Sequence, residues 1–398
     1  MLRLTLLAAV CAAAFPAFAE TATSVDEVVV TATRLPAPLD VTPGARVITE
    51  DEIQARQAVF AADILTTVPG LSVSRNGAFG GITSVRQRGA SSDKTLVLID
   101  GVPMDDPSQP SGSFDFASLD LADVSRIEIL SGPQGSLWGS EAIGGVIAFT
   151  TRELDGLRAA LEGGSYGTVH GDAAVGHAED RWAGGISLSG YRSDGISKAD
   201  ARDGNPEKDG FWTYTAAANG RVKLGDLVTL DGRIRYNDSH VETDGYPPPL
   251  FVLHDTAEYA NTRTWSGFAR AGIDGPLGFR NSLSVSAYKI DRANLGGDFP
   301  SSYSADREVY RWTAERGEPD SVWGTAFGAE REQTKASLSD GSHSDLGATS
   351  ALGASSTGAS PSAANGDRGG AARPDAASRF AASTVSGAKP NSPKHKTM

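Results

Sequence analysis

The chain has 398 residues, and its 49 Asp and Glu outnumber its 36 Lys and Arg, for a formal charge of -13. That balance excludes a nucleic-acid partner, because phosphate binding needs clustered Lys and Arg that the sequence lacks. The six histidines show no metal-ligand spacing, and a single cysteine, Cys11, excludes a disulfide framework.

In chain order, Arg3, the apolar run from Leu4 to Phe18 and the small residues Ala17 and Ala19 predict a signal peptide over 1–19, with the mature chain starting at Glu20. "LAAV" before Cys11 is a poor lipobox, so plain cleavage is favoured over lipidation. The apolar run falls short of the roughly twenty residues a spanning helix needs, and none later is longer, so any membrane structure must be built of strands. Behind the signal, "DEVVVTATR", Asp26 to Arg34, is a β-branched run without an obvious partner strand.

From Thr42 to Glu153 the pattern is that of a compact mixed α/β unit. "ARVITEDEIQARQA" predicts a strand and an acid-started helix. "AADILTTVPGLSVSRNG" predicts a helix stopped at Pro69-Gly70, then a strand and a glycine turn. "KTLVLIDGVPM", "VSRIEILSG" and "EAIGGVIAFTTR" predict further strands.

After Leu154 the period changes to two. Trp212, Tyr214, Ala216, Ala218, Val222 and Leu224 share one parity, and Thr213, Thr215, Asn219, Arg221 and Lys223 the other. Val228, Leu230, Ile234 and Tyr236 repeat this against Thr229, Asp231, Arg233 and Arg235, so each segment has one apolar and one polar face. A secreted sandwich would alternate in the same way. Short turns such as "GD" that alternate with long loops such as "SDGISKADARDGNPEKDG" favour a membrane barrel. The 154–350 region has room for about eight such strands. From Ala351 the alternation stops and Ala, Ser, Gly and Pro dominate, which predicts a disordered 351–398 tail. It is either a natural tail or the product of a frameshift near Ser350.

The segments "EVVVTATR", "DILTTVPGLSV", "RQRGASSDKTLVLIDGVPM" and "VSRIEILSGPQGSLWGSEAIGGVIAFTTR", in that order, resemble the TonB-dependent outer-membrane receptors. Within that family "VSRNGAFGGITSVRQRG", "VLIDGVP", "DGF" and "LHDTAEY" are most similar to the cobalamin receptors. The resemblance implies a mixed α/β plug domain inside an antiparallel transmembrane β-barrel of about 22 strands, here only partial. It implies a protein of the Gram-negative outer membrane, in contact with its lipid, that takes up a corrinoid or otherwise a ferric siderophore.

The family's TonB box would be Glu27, Val28, Val29, Val30, Thr31, Ala32 and Thr33, presented within a 20–41 linker to TonB and its inner-membrane motor proteins. An extended chain of this composition can add to a partner's sheet edge, although an ordinary first plug strand reads the same. Arg88, in Arg88-Gly89, would form an ion pair with barrel-wall carboxylates, or else be a solvated arginine. Ser131 replaces an arginine that the family usually carries before Gly132-Pro133, which removes one plug-to-barrel contact. Ligand contacts would come from Arg75, Asn76, Gly77, Ile82 and Thr83, and from a second apical loop with Ser108, Ser111 and Ser113. Any tight turn has a similar composition. No cofactor is required. Asp203, Asp209, Asp244 and Asp255 fall where the cobalamin receptors hold calcium, and converging carboxylates suit such a cation, although solvated acidic loops look alike.

No enzyme is expected. "SGPQGSLWGSEAIGG" lacks the ending of a phosphate loop, and Ser, His and Asp adjacent in "GSHSDLG" do not make a catalytic geometry. Besides a transporter, a non-transporting binding module and a non-functional truncated product remain open. With less than half a wall and the ending "KHKTM" in place of an aromatic residue, the chain as written is expected neither to form a heat-modifiable barrel nor to support uptake.

Overall fold

The computed structural model describes residues 29–30, 37–38, 44–77, 79–109, 111–134, 138, 140–200, 202, 205–275, 278–316, 323–339 and 343–357. Glu27, Val28, Thr31, Ala32, Thr33 and Asp203 lie outside the described residues. The expectation of an unpartnered leading strand is corrected at two positions. β1 (Val29–Val30) pairs antiparallel with β2 (Ala37–Pro38).

The mixed α/β unit follows. β3 (Ala45–Thr49) leads into α1 (Glu50–Arg56), whose first turn carries Glu50, Asp51 and Glu52 against the positive end of the helix dipole. The short α2 (Ala61–Leu65) buries four of its five residues. β4 (Leu71–Arg75) and β5 (Thr83–Gln87) form a separate hairpin. β6 (Thr95–Ile99), β7 (Val102–Pro103), β8 (Val124–Ser131) and β9 (Gly145–Thr151) complete a five-stranded sheet in the order β3-β8-β9-β6-β7. β6 runs parallel to β9 and is buried at every residue, which explains its unbroken apolar run "TLVLI". Ile48, Ile64, Ile127, Ile147 and Phe149, each at most 1% exposed, form the core. Each such side chain contributes roughly 1.5–3 kcal/mol on burial.

Ten further strands pair antiparallel in sequence order. They are β10 (Gly156–Gly163), β11 (Val169–Ala178), β12 (Trp182–Ile196), β13 (Asp209–Leu224), β14 (Val228–Gly245), β15 (His254–Asp274), β16 (Arg280–Leu295), β17 (Ser301–Arg316), β18 (Trp323–Leu338) and β19 (His343–Thr357). The count is therefore ten where the pattern predicted about eight, and β19 continues past Ser350 to Thr357. Its sequence, "HSDLGATSALGASST", has few large aliphatic residues, so hydropathy alone hides it.

Which face is wet separates a barrel from a sandwich. Thr213, Thr215, Arg235, Asn237 and Ser239 are buried against the α/β unit, whereas Ile186, Leu188, Tyr214 and Ile234 on the opposite parity are 52–56% exposed. Apolar outside and polar inside is the alternation of a wall that stands in lipid. One hydrogen-bonded row runs Ala216, Tyr236, Trp265, Lys289, Asp306, Lys335. A row nearer the short turns, Val222, Leu230, Ala271, Leu283, Trp312, Ala329, stays apolar throughout. The apolar band thus shifts strand by strand against the ladder, as tilted barrel strands require.

The α/β unit is held against this wall mainly by wall arginines. Arg235 Nη1 lies 2.6 Å from both Asp123 oxygens, and Arg233 Nη2 lies 2.8 Å from Asp123 Oδ2. Arg292 meets Asp106 at 3.1 Å, and Arg307 meets Asp105 and, at 3.0 Å, Glu332. This reverses the expected polarity, in which Arg88 of the plug would find carboxylates on the wall. Arg88 is instead exposed, its guanidinium beside Gly44 and Gly132, with no ion pair to a wall carboxylate among the described residues. A second contact is aromatic: Phe60 packs on Tyr191 and Phe211 at 4.9 and 6.0 Å between ring centres.

Burial pushes the Asp123 carboxyl up, but the charges of Arg235 and Arg233 outweigh it and hold the group below its usual range. Its contribution to stability is therefore complete above the unfolded value near pH 4 and is lost as pH falls through the lower folded value. Replacing one partner of such a pair leaves a buried charge uncompensated. Asp123→Ala is expected to cost about 3–5 kcal/mol, read as a lower urea midpoint, and to remove the acid-dependent part of the wild-type transition.

Candidate functional site

A cavity of about 930 Å³ lies between the apex of the plug and the inner face of the wall. Its floor is the turn between β4 and β5, closed by Asn76 N–H donating to Ile82 O at 2.9 Å. Gly77 and Gly80 hold φ of +80° and +73°, which side chains rarely adopt. At Gly80 a Cβ would also stand 2.1 Å from the Phe211 ring. Two glycines at the tip thus let the turn press on the wall and push Ile82 outward, where it is 61% exposed.

Of the five residues expected on this turn, Asn76, Gly77 and Ile82 line the cavity. Arg75 instead pairs with Asp63 at 3.0 Å, and Thr83 is fully buried, its N–H donating to Asp115 Oδ1 at 2.9 Å. Alternation explains both departures, since neighbours on a hairpin point opposite ways. The second apical loop contributes no serine to the cavity. Ser108 donates to Asp106 through its N–H and hydroxyl, at 2.9 and 2.6 Å, the Ser113 hydroxyl lies 3.0 Å from that of Ser92, and Ser111 is exposed outside it. The sequence reading missed Tyr246, Phe251 and Phe299, exposed aromatics at the rim. Their signal was available: Tyr246 and Phe299 sit beside Pro, and Phe251 two residues after Pro249, in loops where a large ring has no core to fill.

The wall adds the neutral polar residues Asn237, Ser239, Thr262, Thr264 and Asn294 to a lining that also holds Met104, Phe114, Phe211 and Ile290. Among the described residues, its three cations are engaged. Arg235 binds Asp123, Arg292 binds Asp106, and Lys198 donates to the Glu242 carbonyl. Five carboxylates face them: Asp106, Asp115, Asp244, Glu258 and Asp298. Burial raises the Asp115 carboxyl above the usual range despite its hydrogen bonds from Thr83 and Ala117.

Above the cavity, carboxylates from the outer ends of β13, β14 and β15 and from the segment before β13 converge. Oxygens of Glu207, Asp244 and Asp255 lie within 4.8 Å of one another. Asp209 is nearby, 1% exposed, and its Oδ1 has no hydrogen-bond partner, nor has Asp255 Oδ1. So the structure brings together two of the expected residues, Asp244 and Asp255, adds Glu207, and sets Asp209 beside them. Burial, then the charges of Asp244, Asp255 and Glu242, raise the Glu207 carboxyl, and burial lowers the Lys198 ammonium. Unpartnered carboxylate oxygens in such a group fit a hard divalent cation such as calcium.

An α/β plug seated on the polar face of a lipid-facing wall, with a cavity at its apex, defines an outer-membrane receptor. Residues 38–146 match the family model of the TonB-dependent receptor plug domain. The chain is 34% identical over 290 residues to the vitamin B12 transporter BtuB of Photobacterium profundum, a match that covers 69% of this chain and 47% of that one. A variant of the ferric enterobactin receptor PfeA of Pseudomonas aeruginosa superposes with a TM-score of 0.63 at 15% identity, over 84% of this chain and 57% of that one. The alcaligin receptor FauA of Bordetella pertussis gives 0.62 at 17%, over 82% and 54%. The chain spans about half the length of the curated relative it matches. It belongs to the TonB-dependent receptors, close to the cobalamin receptors, and its ten-stranded sheet is part of such a barrel.

Asp115 ties the β4–β5 turn to the segment at Ala117 through two partly buried hydrogen bonds, from the N–H groups of Thr83 and Ala117. Asp115→Ala is expected to remove about 1–3 kcal/mol of local protection for each, measured as faster amide exchange at Thr83 and Ala117 with the exchange of the β6 amides unchanged.

Proposed function

We propose that this chain is the plug and part of the wall of a receptor for energy-coupled uptake of cobalamin or a related corrinoid. It acts by binding and gated passage, with no bond made or broken. The observation that carries the reading is the chemistry of the cavity. A corrinoid is a broad macrocycle fringed with amides. Asn76, Thr262 and Thr264 offer neutral hydrogen-bonding groups to such a fringe, and Ile82, Tyr246, Phe251 and Phe299 offer apolar area to its faces. A ferric catecholate is an anion and would need free cations, whereas here each cation is engaged and carboxylates are in excess. The ferric siderophore reading therefore ranks second, supported by the fold shared with siderophore receptors. Calcium at Glu207, Asp244, Asp255 and Asp209 would cross-link two long loops, β12–β13 and β14–β15, over this cavity and fix its rim.

The purified chain is expected to bind cyanocobalamin in equilibrium dialysis in preference to ferric enterobactin, with Ile82→Asp weakening it about tenfold, the scale on which burying an unpaired charge opposes binding. Tight ferric enterobactin binding without cyanocobalamin binding would reverse the ranking.

Coupling is assigned to Glu27–Thr33, whose β-branched residues favour the extended form needed to add as a strand to TonB. Proline removes a main-chain donor from such a ladder. Val29→Pro is expected to abolish crosslinking to the periplasmic domain of TonB while cyanocobalamin binding stays at the wild-type level.

A further inference from the structure

The segment after β12 joins the two parts of the site. Lys198 N–H donates to Asp209 Oδ2 at 2.5 Å, Ala199 N–H donates to Asp244 Oδ2 at 2.6 Å, and the Lys198 ammonium donates to the Glu242 carbonyl. The Lys198 stem meanwhile lies over the ligand-facing turn: a Cβ on Gly77 would be 3.1 Å from its Cγ and Cδ. One side chain therefore covers the plug turn with its methylenes and carries its charge to the Glu242 carbonyl, near enough to Asp209 and Asp244 for their charges to act on it. The group itself is incompletely satisfied, since Asp209, 1% exposed, keeps an unpartnered Oδ1, as does Asp255.

We propose that Lys198 is the built-in counter-ion of this carboxylate group, and that a divalent cation entering between Glu207, Asp244, Asp255 and Asp209 must displace its ammonium. The inference rests on the cation reading above and adds a residue that sets the affinity. An ammonium and a dication are attracted by the same oxygens and repel each other, so both cannot be held at close range. The Lys stem is flexible and its charge compact, so it can leave the Glu242 carbonyl without the backbone N–H bonds of residues 198–199 breaking. Because the stem rests on Gly77, displacement also changes what covers the floor of the cavity. Linkage then requires ligand and cation to alter each other's affinity by one common factor.

Calcium titration calorimetry on the whole chain tests this, with Lys198→Met, which keeps the stem and removes the charge, and Lys198→Arg, which keeps the charge. Far-ultraviolet circular dichroism checks that each variant is folded. Lys198→Met should bind calcium about tenfold more tightly, within the usual range of a coupling between sites, and Lys198→Arg should stay near the wild type. Saturating cyanocobalamin should shift the calcium affinity of the wild type and shift that of Lys198→Met less. Calcium bound equally by wild type and Lys198→Met overturns the role of Lys198 and leaves the cation site standing. No calcium bound by any of the folded proteins overturns the cation reading itself.

Discussion

The seat of the plug depends on Arg235 and Asp123. A wall that is apolar toward lipid turns a mainly polar parity inward, so beyond the apolar contact that Tyr288, Ile290 and Ala305 make with the plug core, the plug is seated by polar contacts. Arg235, 6% exposed, and Arg233 accept burial because Asp123 and Asp100 of the plug meet them, and Arg292 and Arg307 repeat the arrangement toward the apex. Replacing buried ion pairs by apolar residues often leaves stability unchanged or raises it, so what these contacts supply is position. They fix which plug loop faces which strand.

That position creates the cavity. Asp106 is held to Arg292 and, through Ser108 and Gln109, organises its own loop. On the other side Phe60, Tyr191 and Phe211 form the aromatic contact against which Gly80 rests. The plug is thus pinned by charge on one flank and by rings on the other, and the turn between them presents Ile82 and Asn76 to the space enclosed by the loops. The paired state of the cations follows from the same contacts: the arginines that line the cavity are already used to seat the plug, which leaves a slightly acidic lining there.

Much of this was legible before any coordinates. The period-two alternation of Tyr214 against Thr215, and of Ile234 against Arg235, gave the wall and its two faces, because parity is a local property of an extended chain. The glycines of the ligand turn and the buried run of β6 were likewise visible in short windows. The latch was not, since Arg235 and Asp123 are 112 residues apart and each reads locally as a polar residue on a strand or in a turn. The expectation placed on Arg88 had the right interaction and the wrong owner. Glu207 escaped notice for a similar reason: its partners Asp244 and Asp255 reach it only through the register of β13, β14 and β15.

The order of the plug sheet bears on how coupling through the leading segment would act. β3 is the first plug strand after that segment, and among the described residues it lies at the sheet edge with β8 as its one neighbour. A pull applied before Ala45 would reach this edge strand first, five residue pairs long, before it reached the central β8, β9 and β6. The wall contacts of Asp123 and Asp105 lie on loops beyond β3, and a polar contact can exchange a protein partner for water with little net change in hydrogen bonding. The core formed by Ile127, Ile147 and Phe149 has no such substitute, since exposing it restores apolar area to water. The physical contrast between a polar seat and an apolar core therefore favours loosening at the edge and the seat, with the centre of the plug kept folded.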